Sequence, residues 1–522
     1  MKTLAAILLA IATAGATAHA DTYSPPPVFA KAPGLPAGYD EATALRLDLA
    51  SALQIAMEQN IGMSVERSQV DAVDLGERAA HGAMYEPVVT AGFTHASQVT
   101  PPMTKQAGTA DQIITATSDA WTVGVSNRLP TGGSVGVSVS LDRYASSSGT
   151  AVLPDYYTSG ASITFTQPLL RGFSRDLVIP QMSLLTAKIA TENERYNIQL
   201  VASQLVQQTE GAYWNVVSAL YAYRVAVDAQ ASTDDALALM RKQIAAGATG
   251  TADLAQAEAA AAQQQVAVLD QATQVENAWD GLRLLLNLPR DQWQRPILPT
   301  DVPSYDVTPS PSIDDAISLA LHQRPEIHMM QLDTKSEDLA MRKAENDKLP
   351  QIDLQLGAGM SGLGASAAES IGELGVSTTS WNVGVALTWT PFQKANNANL
   401  ELQKVQRQMH DAQHDLKIQQ IWTDVRSAVR ARESARLQVQ AASRSRELAT
   451  AALAAETKKY MSGMSSMGQV ALQRQALTNA QQQEVTALVN SERANTQLLV
   501  ATGGLLAARH VVLQVAGAAV GG

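Results

Sequence analysis

The chain has 522 residues and a formal charge of −11 at pH 7, with 5% aromatic residues, 17% charged residues and no cysteine. An acidic chain without a basic patch argues against nucleic acid, and an exported chain without cysteine has neither disulfide staples nor a lipid-bearing N-terminal thiol. So few aromatic side chains are thin material for a large globular core and suit slender packed helices instead.

Met1 to Ala20 reads as a secretory signal: Lys2, an apolar run from Leu4 to Ala14, then Ala18-His19-Ala20 before Asp21. The run is too short to span a bilayer, and no later segment looks like a spanning helix. If the protein sits in a membrane, a closed β-barrel is the remaining way to hold it there.

After an extended segment over residues 21–47, the chain says nearly the same thing twice. Leu49, Ala52, Ala56 and Asn60 line up with Ile313, Ala316, Ala320 and Arg324. Pro87 matches Pro350, Pro168 matches Pro391 and Gly247 matches Gly463, with Leu254 and Val470 seven residues beyond the glycines. Repeat 1 covers 48–295, a linker 296–311, repeat 2 312–505 and a C-terminal tail 506–522.

Each repeat opens with a helix, near Asp48–Tyr85 and Ser312–Lys348. Period-two alternation follows. Val88–Val99, Ala120–Leu129, Ser134–Arg143 and Ala161–Gln167 read as strands in the first repeat, and Gln351–Met360 and Ser380–Thr390 in the second. Trp121, Tyr144, Tyr156, Tyr157, Phe165, Trp381, Trp389 and Phe392 fall in or near them, as an interfacial girdle would; a small β-sandwich with core aromatics is the bland alternative. Pro130-Thr131-Gly132-Gly133 is a tight turn, and Pro101–Thr117 and Ser361–Ser377 read as long loops.

A long helix then runs from about Pro180 to Ala245, with Pro180 in its first turn, and its counterpart from about Ala395 to Met461. Each would be about 100 Å long at 1.5 Å per residue. After glycine turns the chain returns through Thr251–Leu288 and Met467–Gly503. Two shorter helices end to end match one long one, so each repeat reads as a rod. Ile418, Ile421, Val425, Ala428, Arg432, Ala435, Val439 and Ala442 alternate steps of three and four, as do Tyr213, Val217, Leu220, Arg224, Val227 and Ala231, which is a coiled-coil seam.

In this order the landmarks resemble the TolC-like outer-membrane efflux proteins. The carriers are the duplication, the openings Leu47-Asp48-Leu49-Ala50-Ser51-Ala52-Leu53 and Ser312-Ile313-Asp314-Asp315-Ala316, and the junctions Gln167-Pro168-Leu169-Leu170-Arg171-Gly172-Phe173 and Trp389-Thr390-Pro391-Phe392. The turns Gly247–Leu254 and Tyr460-Met461-Ser462-Gly463 and the closing Ala501-Thr502-Gly503-Gly504-Leu505 add to it. The resemblance implies an α+β membrane protein: a homotrimeric outer-membrane β-barrel continued by a long periplasmic α-helical barrel. It implies a passive exit duct of a tripartite efflux pump or type I secretion system, in the outer-membrane lipid of a Gram-negative cell. The partners would be a periplasmic adaptor and an inner-membrane pump or ABC transporter.

Well-studied members carry twelve strands, four per protomer. The additional pair in repeat 1 departs from that count, and an elongated hairpin or loop would account for it. By resemblance, Gly247, Gly250 and Gly463 belong to the tips that dock the adaptor, and Pro87, Pro168, Gly172, Pro350 and Pro391 to the barrel-to-helix junctions. Asp253, Tyr460, Ser465 and Gln469 fall at the inner-mouth gate. The Arg that members carry two residues after the second glycine is Ser465 here, and their acidic ring positions are Gln469 and Leu472. Asp253 thus lacks its usual ionic partner, and hydrogen bonds from Tyr460, Ser465 and Gln469 would replace the latch.

No catalytic or cofactor motif is present: no phosphate-binding glycine loop and no nucleophile elbow, so the chain does not read as an enzyme. His410 and His414 lie four apart on a helix but two imidazoles leave a metal's coordination incomplete, and no metal site is expected. Met461, Met464 and Met467 suit flexible packing at a turn. A coiled-coil or adhesin-like stalk without transport is the alternative class, predicting uninterrupted heptads and one strand block.

Overall fold

The computed structural model describes residues 33–101, 113–147, 153–245, 251–305, 308–376, 378–515 and 518–520. The leader read over Met1–Ala20 lies outside them. The chain divides into two units, one of residues 1–67, 198–327 and 417–522 and the other of residues 68–197 and 328–416.

The duplication is visible in the helices. α1 (Leu49–Gln59), α2 (Ile61–Tyr85), α3 (Met182–Ala245) and α4 (Thr251–Leu286) belong to the first repeat. α5 (Ile313–Gln323), α6 (Pro325–Asn346), a short α7 (Ala367–Gly372), α8 (Lys394–Met461) and α9 (Met467–Thr502) belong to the second, with α10 (Leu505–Ala508) after it. α3 and α8 have 64 and 68 residues, and α4 and α9 have 36 each.

The helix expected to open each repeat is broken in two, at equivalent places. Asn60 turns extended (φ −63°, ψ 129°) and so does Arg324 (φ −69°, ψ 127°), while their N–H groups still donate to Ala56 and Ala320, each at 3.0 Å. In repeat 2, Pro325 disfavours the helical region for the residue before it. In repeat 1 the Asn60 side chain does the work: its Oδ1 accepts from the Met63 N–H (3.2 Å), capping α2, and its Nδ2 donates to the Leu285 carbonyl (2.9 Å). Pro180 precedes α3 by two residues instead of opening it, because the chain turns at Leu177 with φ 58°.

The predicted seam on α8 is buried at Ile421, Val425, Ala428, Ala435 and Val439. On α3, Tyr213, Val217 and Leu220 are buried, but Val227 and Ala231 are exposed and burial passes to Ala226, Ala236 and Met240. A straight helix drifts about 20° per heptad from a 3.5-residue stripe, which moves the buried face off the original seam.

The first unit concentrates its large side chains in one cluster that includes Tyr213, Trp214, Leu220, Trp279, Leu282, Leu286 and Leu488. The segment read as a linker contributes β6 (Ile297–Pro299), which pairs in parallel with β1 (Leu45–Leu47) in the register Leu45↔Ile297. Trp279 donates its indole N–H to the Ile297 carbonyl (2.8 Å). The Asp301 carboxylate accepts from the Leu49 N–H (2.6 Å) at the start of α1 and from the Tyr213 hydroxyl (2.9 Å). Burial, reinforced by that bond to a carboxylate, raises the Tyr213 hydroxyl above its ordinary range.

α9 ends in a left-handed Gly503 (φ 79°), with the Gly504 N–H donating to the Leu499 carbonyl (2.9 Å). A Cβ at Gly503 would stand 2.9 Å from the Gln323 backbone, so both conformation and space demand glycine. Beyond it the expected tail forms α10, β9 (Leu513–Val515) and β10 (Ala518–Val520). Between α10 and β9, Arg509 bonds to Glu210 of α3, which is fully buried and also accepts from Thr496.

The second unit holds the sheet. β2 (Val88–Thr100), β3 (Ile114–Arg128), β4 (Ser134–Ser146), β5 (Asp155–Pro168), β7 (Gln351–Gly364) and β8 (Thr379–Thr388) form one antiparallel sheet in the order β2-β3-β4-β5-β7-β8. All six expected strands are present, and those of repeat 1 are longer than expected. β3 begins inside the stretch read as a loop, and β7 likewise runs into the stretch read as Ser361–Ser377, where α7 also forms. The pair in excess of the twelve-strand count is no detached hairpin or loop: all four strands of repeat 1 pair along their length.

Replacing Arg509 by Met leaves the buried Glu210 carboxylate without its cation, at an expected cost of about 3–5 kcal/mol. Thermal and denaturant unfolding followed by helical circular dichroism should show the loss, and Glu210→Gln combined with Arg509→Met should recover part of it.

Candidate functional site

No described helix is long and apolar enough to cross a membrane. The sheet has a different means. Side chains alternate along a strand, so the register sorts them onto two faces. One face carries Val89, Ala91 and Phe93 of β2, Trp121, Val123 and Val125 of β3, and Val137, Val139 and Leu141 of β4. It continues through Ala161, Ile163 and Phe165 of β5, Leu354, Leu356 and Met360 of β7, and Trp381, Val383, Val385 and Leu387 of β8. The other face carries Thr90, Thr122, Ser138, Ser140, Ser162, Thr164, Gln355, Ser380 and Asn382, with glycines between them.

The apolar band ends abruptly at the strand ends remote from the helices. There the same face presents His95 beside Asp119 (2.6 Å) and Arg143 paired with Asp155 (2.8 Å). A continuous apolar band on one face and hydroxyl, amide and glycine positions on the other is what a wall between lipid and water requires. Of the aromatics expected to form a girdle, Trp121, Tyr157, Phe165 and Trp381 lie on the apolar face. Tyr144 and Tyr156 pair with each other, rings 5.2 Å apart, on the polar one. Alternation corrects that part of the girdle. Trp389 and Phe392 lie beyond β8, at the helical end, and are exposed.

At the helical end of the sheet, structure brings together three of the five predicted junction residues. Pro168 closes β5 opposite Asp353, Pro350 immediately precedes β7, and the chain after Pro168 stays on the same edge: Leu169 donates to the Ile352 carbonyl (2.8 Å). Gly172 has φ 83° and its N–H donates to Asn346 Oδ1 (2.7 Å). Asn346 Nδ2 faces the carbonyls of Leu170 (3.3 Å) and Phe173 (3.1 Å). The buried Asn346 thus clasps a loop of repeat 1 from the last turn of α6 in repeat 2. Thr131 and Gln167 tie the β3–β4 turn to β5 at the same level, with bonds of 2.6 and 3.0 Å. Pro87 and Pro391 stand at the ends of other strands and take no part in this clasp. Sequence reasoning missed Asn346, because one asparagine near a helix end has no periodic signature.

At the second helix turn, Gly463 adopts φ 75°, its N–H donates to the Tyr460 carbonyl (3.0 Å), and the Met464 N–H donates to the Lys459 carbonyl (2.9 Å). Ser466 caps α9, its hydroxyl accepting from the Gln469 N–H (3.4 Å). Ser465 donates to the carboxylate of Glu456, which also pairs with Lys459 (3.2 Å). Tyr460 is half-buried and the Gln469 side chain exposed. The structure therefore collects Tyr460, Gly463, Ser465 and Gln469 in one hairpin and adds Glu456, which sequence reasoning passed over. Gly247 and Gly250, and the side chain of Asp253, lie outside the described residues. The Ser465 hydrogen bond, with help from Lys459, holds the Glu456 carboxyl below its ordinary value. Elsewhere, His410 faces Glu337 (3.4 Å) and Thr334 (3.4 Å).

Residues 104–288 and 316–504 match the profile of a family described as "Outer membrane efflux protein". No curated protein matches the chain in sequence. Among solved structures, the fold is similar to the CmeC outer membrane channel of Campylobacter jejuni, with TM-score 0.64, 15% identity, and coverage of 88% of this chain and 86% of that one. It is similar to the open state of the MtrE outer membrane channel of Neisseria gonorrhoeae, with TM-score 0.62, 19% identity, and coverage of 88% and 89%. The outer membrane protein VceC of Vibrio cholerae gives TM-score 0.62 at 14% identity, covering 87% and 96%.

Asn346→Leu orphans the Gly172 N–H and two carbonyls, an expected cost of about 1–3 kcal/mol per buried unpaired group. Limited proteolysis should show new cleavage between residues 169 and 180 while the sheet stays intact. Ser465→Ala should let Glu456 titrate nearer its ordinary value of 4.5. Because the folded value is depressed, the Glu456 contribution is present above 4.5 and lost as pH falls through the lower folded value. Melting curves of wild type and variant should therefore differ near neutrality and converge in acid.

Proposed function

This chain belongs to the outer membrane efflux protein family and is an outer-membrane channel reaching into the periplasm; from that premise we propose a passive exit duct, assembled from three copies, that serves a tripartite pump or a type I secretion system. The observation that carries the reading is the two-faced sheet whose outermost strands, β2 and β8, each leave their outer edge unpaired among the described residues. Lipid offers no hydrogen bonds, so such edges are tolerable only when other copies close the wall. Protein supplies the path and no catalysis, so the energy comes from an inner-membrane partner.

In this reading the turns at Gly247, Gly250 and Gly463 form the tips that meet a periplasmic adaptor. Gly463 supports the role through its left-handed backbone, which keeps the tip narrow. Pro87, Pro168, Gly172, Pro350 and Pro391 redirect the chain between strands and helices. Asp253, Tyr460, Ser465 and Gln469 line the gate at the inner mouth. Gln469 and Leu472 carry no charge, so closure would rest on hydrogen bonds from groups such as Tyr460 and Gln469, each about 0.5–1.5 kcal/mol net, and not on an acidic ring; the Ser465 hydroxyl is held by Glu456 of its own hairpin.

The purified protein should extract from membranes as a detergent-stable trimer and open discrete pores in planar bilayers; a water-soluble monomer without channel activity would sink the reading. Micromolar trivalent cations applied at the inner mouth should leave the conductance nearly unchanged. Gly463→Val should keep the trimer and lose export of toxic compounds from cells, whereas undiminished export would argue against tip docking.

A further inference from the structure

We propose that the wall of the assembled channel contains eighteen strands, six from each of three copies, and that its bore admits larger solutes than a twelve-stranded wall would. The inference rests on the duct reading above, and adds what that duct can carry. Barrel diameter grows roughly linearly with strand number, so at equal tilt the wall is about half again as wide as one of twelve strands.

The additional strands are built as wall. β3 and β4 pair with each other from Ala116↔Ser146 to Arg128↔Ser134, and with their outer neighbours over comparable lengths. Neither strand offers a break at which a hairpin could peel off. The apolar band crosses them without interruption, through Val123 and Val125 on β3 and Val137 and Val139 on β4. A pair lying in water, outside the wall, would have no use for that band.

The edges are built to be joined. β2 and β8 run in opposite directions in an alternating six-stranded sheet, so the β2 edge of one copy meets the β8 edge of the next antiparallel. Neither strand contains Pro, Lys or Arg, the usual guards against edge pairing. Their band residues are also the least covered. Trp381 on β8 is 80% exposed against 41% for Trp121 on β3, and Val385 is 66% against 43% for Val125. The difference is the missing neighbouring strand.

The polar face leaves the lumen open. Every strand places a glycine there: Gly92, Gly124, Gly136, Gly160, Gly357 and Gly384. No side chain projects from those six positions, and the residues beside them are chiefly Ser and Thr. The described charges on this face are few, Arg128, Asp142 and Asp353, and stand apart from one another, so the passage between them selects chiefly by size.

The test uses the complete protein extracted in detergent. Imaging of the trimer by electron cryomicroscopy should count eighteen strands in the wall; twelve would overturn the proposal while leaving the duct reading intact. In bilayers, polyethylene glycols of graded size are added from the outer face, so that the inner mouth does not limit entry. Deletion of residues 113–147 removes β3 and β4 and lets β2 meet β5 antiparallel. The hydrodynamic radius of the largest polymer that enters should fall by about one third, as the strand count does. An unchanged cut-off in a folded deletion trimer would overturn the proposal, and if the deletion does not assemble, the wild-type strand count decides it. Wild-type protein that opens no pore overturns the duct reading and this inference with it.

Discussion

A backbone N–H or C=O in hydrocarbon has no water to bond with, and each one left unpaired costs several kcal/mol. The sheet depends on that constraint. Its strands pair along their lengths, its two faces differ as lipid and water differ, and only its outermost edges are left unsatisfied within one chain. Nothing local to one strand could supply this; a row of residues such as Val89, Phe93, Trp121 and Val125 is an apolar surface only when register aligns it.

The same constraint explains where conformational freedom is placed. Leaving a sheet for a helix requires a change of direction and a set of carbonyls and N–H groups with no ladder partner. At one such exit Gly172 takes a left-handed backbone and Asn346 satisfies three backbone groups at once. Gly463 does the corresponding service at a helix reversal, where its own N–H and that of Met464 close the turn. Glycine bears these positions because a β-carbon penalises φ near +75°.

The scarcity of aromatic residues has a counterpart in where they are used. Tyr213, Trp214 and Trp279 gather in the cluster that also takes in Leu47 of β1 and Ile297 of β6, and two of the three polar tips are bonded there: the Trp279 indole to Ile297 and the Tyr213 hydroxyl to Asp301. Asp301 also caps α1. Along the long helix α8, by contrast, small side chains such as Ala428 and Ala435 occupy the buried seam.

Periodicity, prolines and glycines determined much of this protein by themselves. The 3.5-residue stripe on α8, the alternation in the six strands and the paired landmarks of the two repeats are local or periodic, so they survive in one dimension. Tertiary structure decided what depends on a second segment. The break at Arg324 could be read from Pro325, but the matching break at Asn60 is held by Leu285, 225 residues away. The face of Tyr144 follows from pairing with Tyr156, the partner of Ser465 is Glu456 across a turn, and the clasp of Asn346 joins two repeats. A hydrogen bond between distant segments leaves no repeat in composition or spacing, because either residue alone suits many environments.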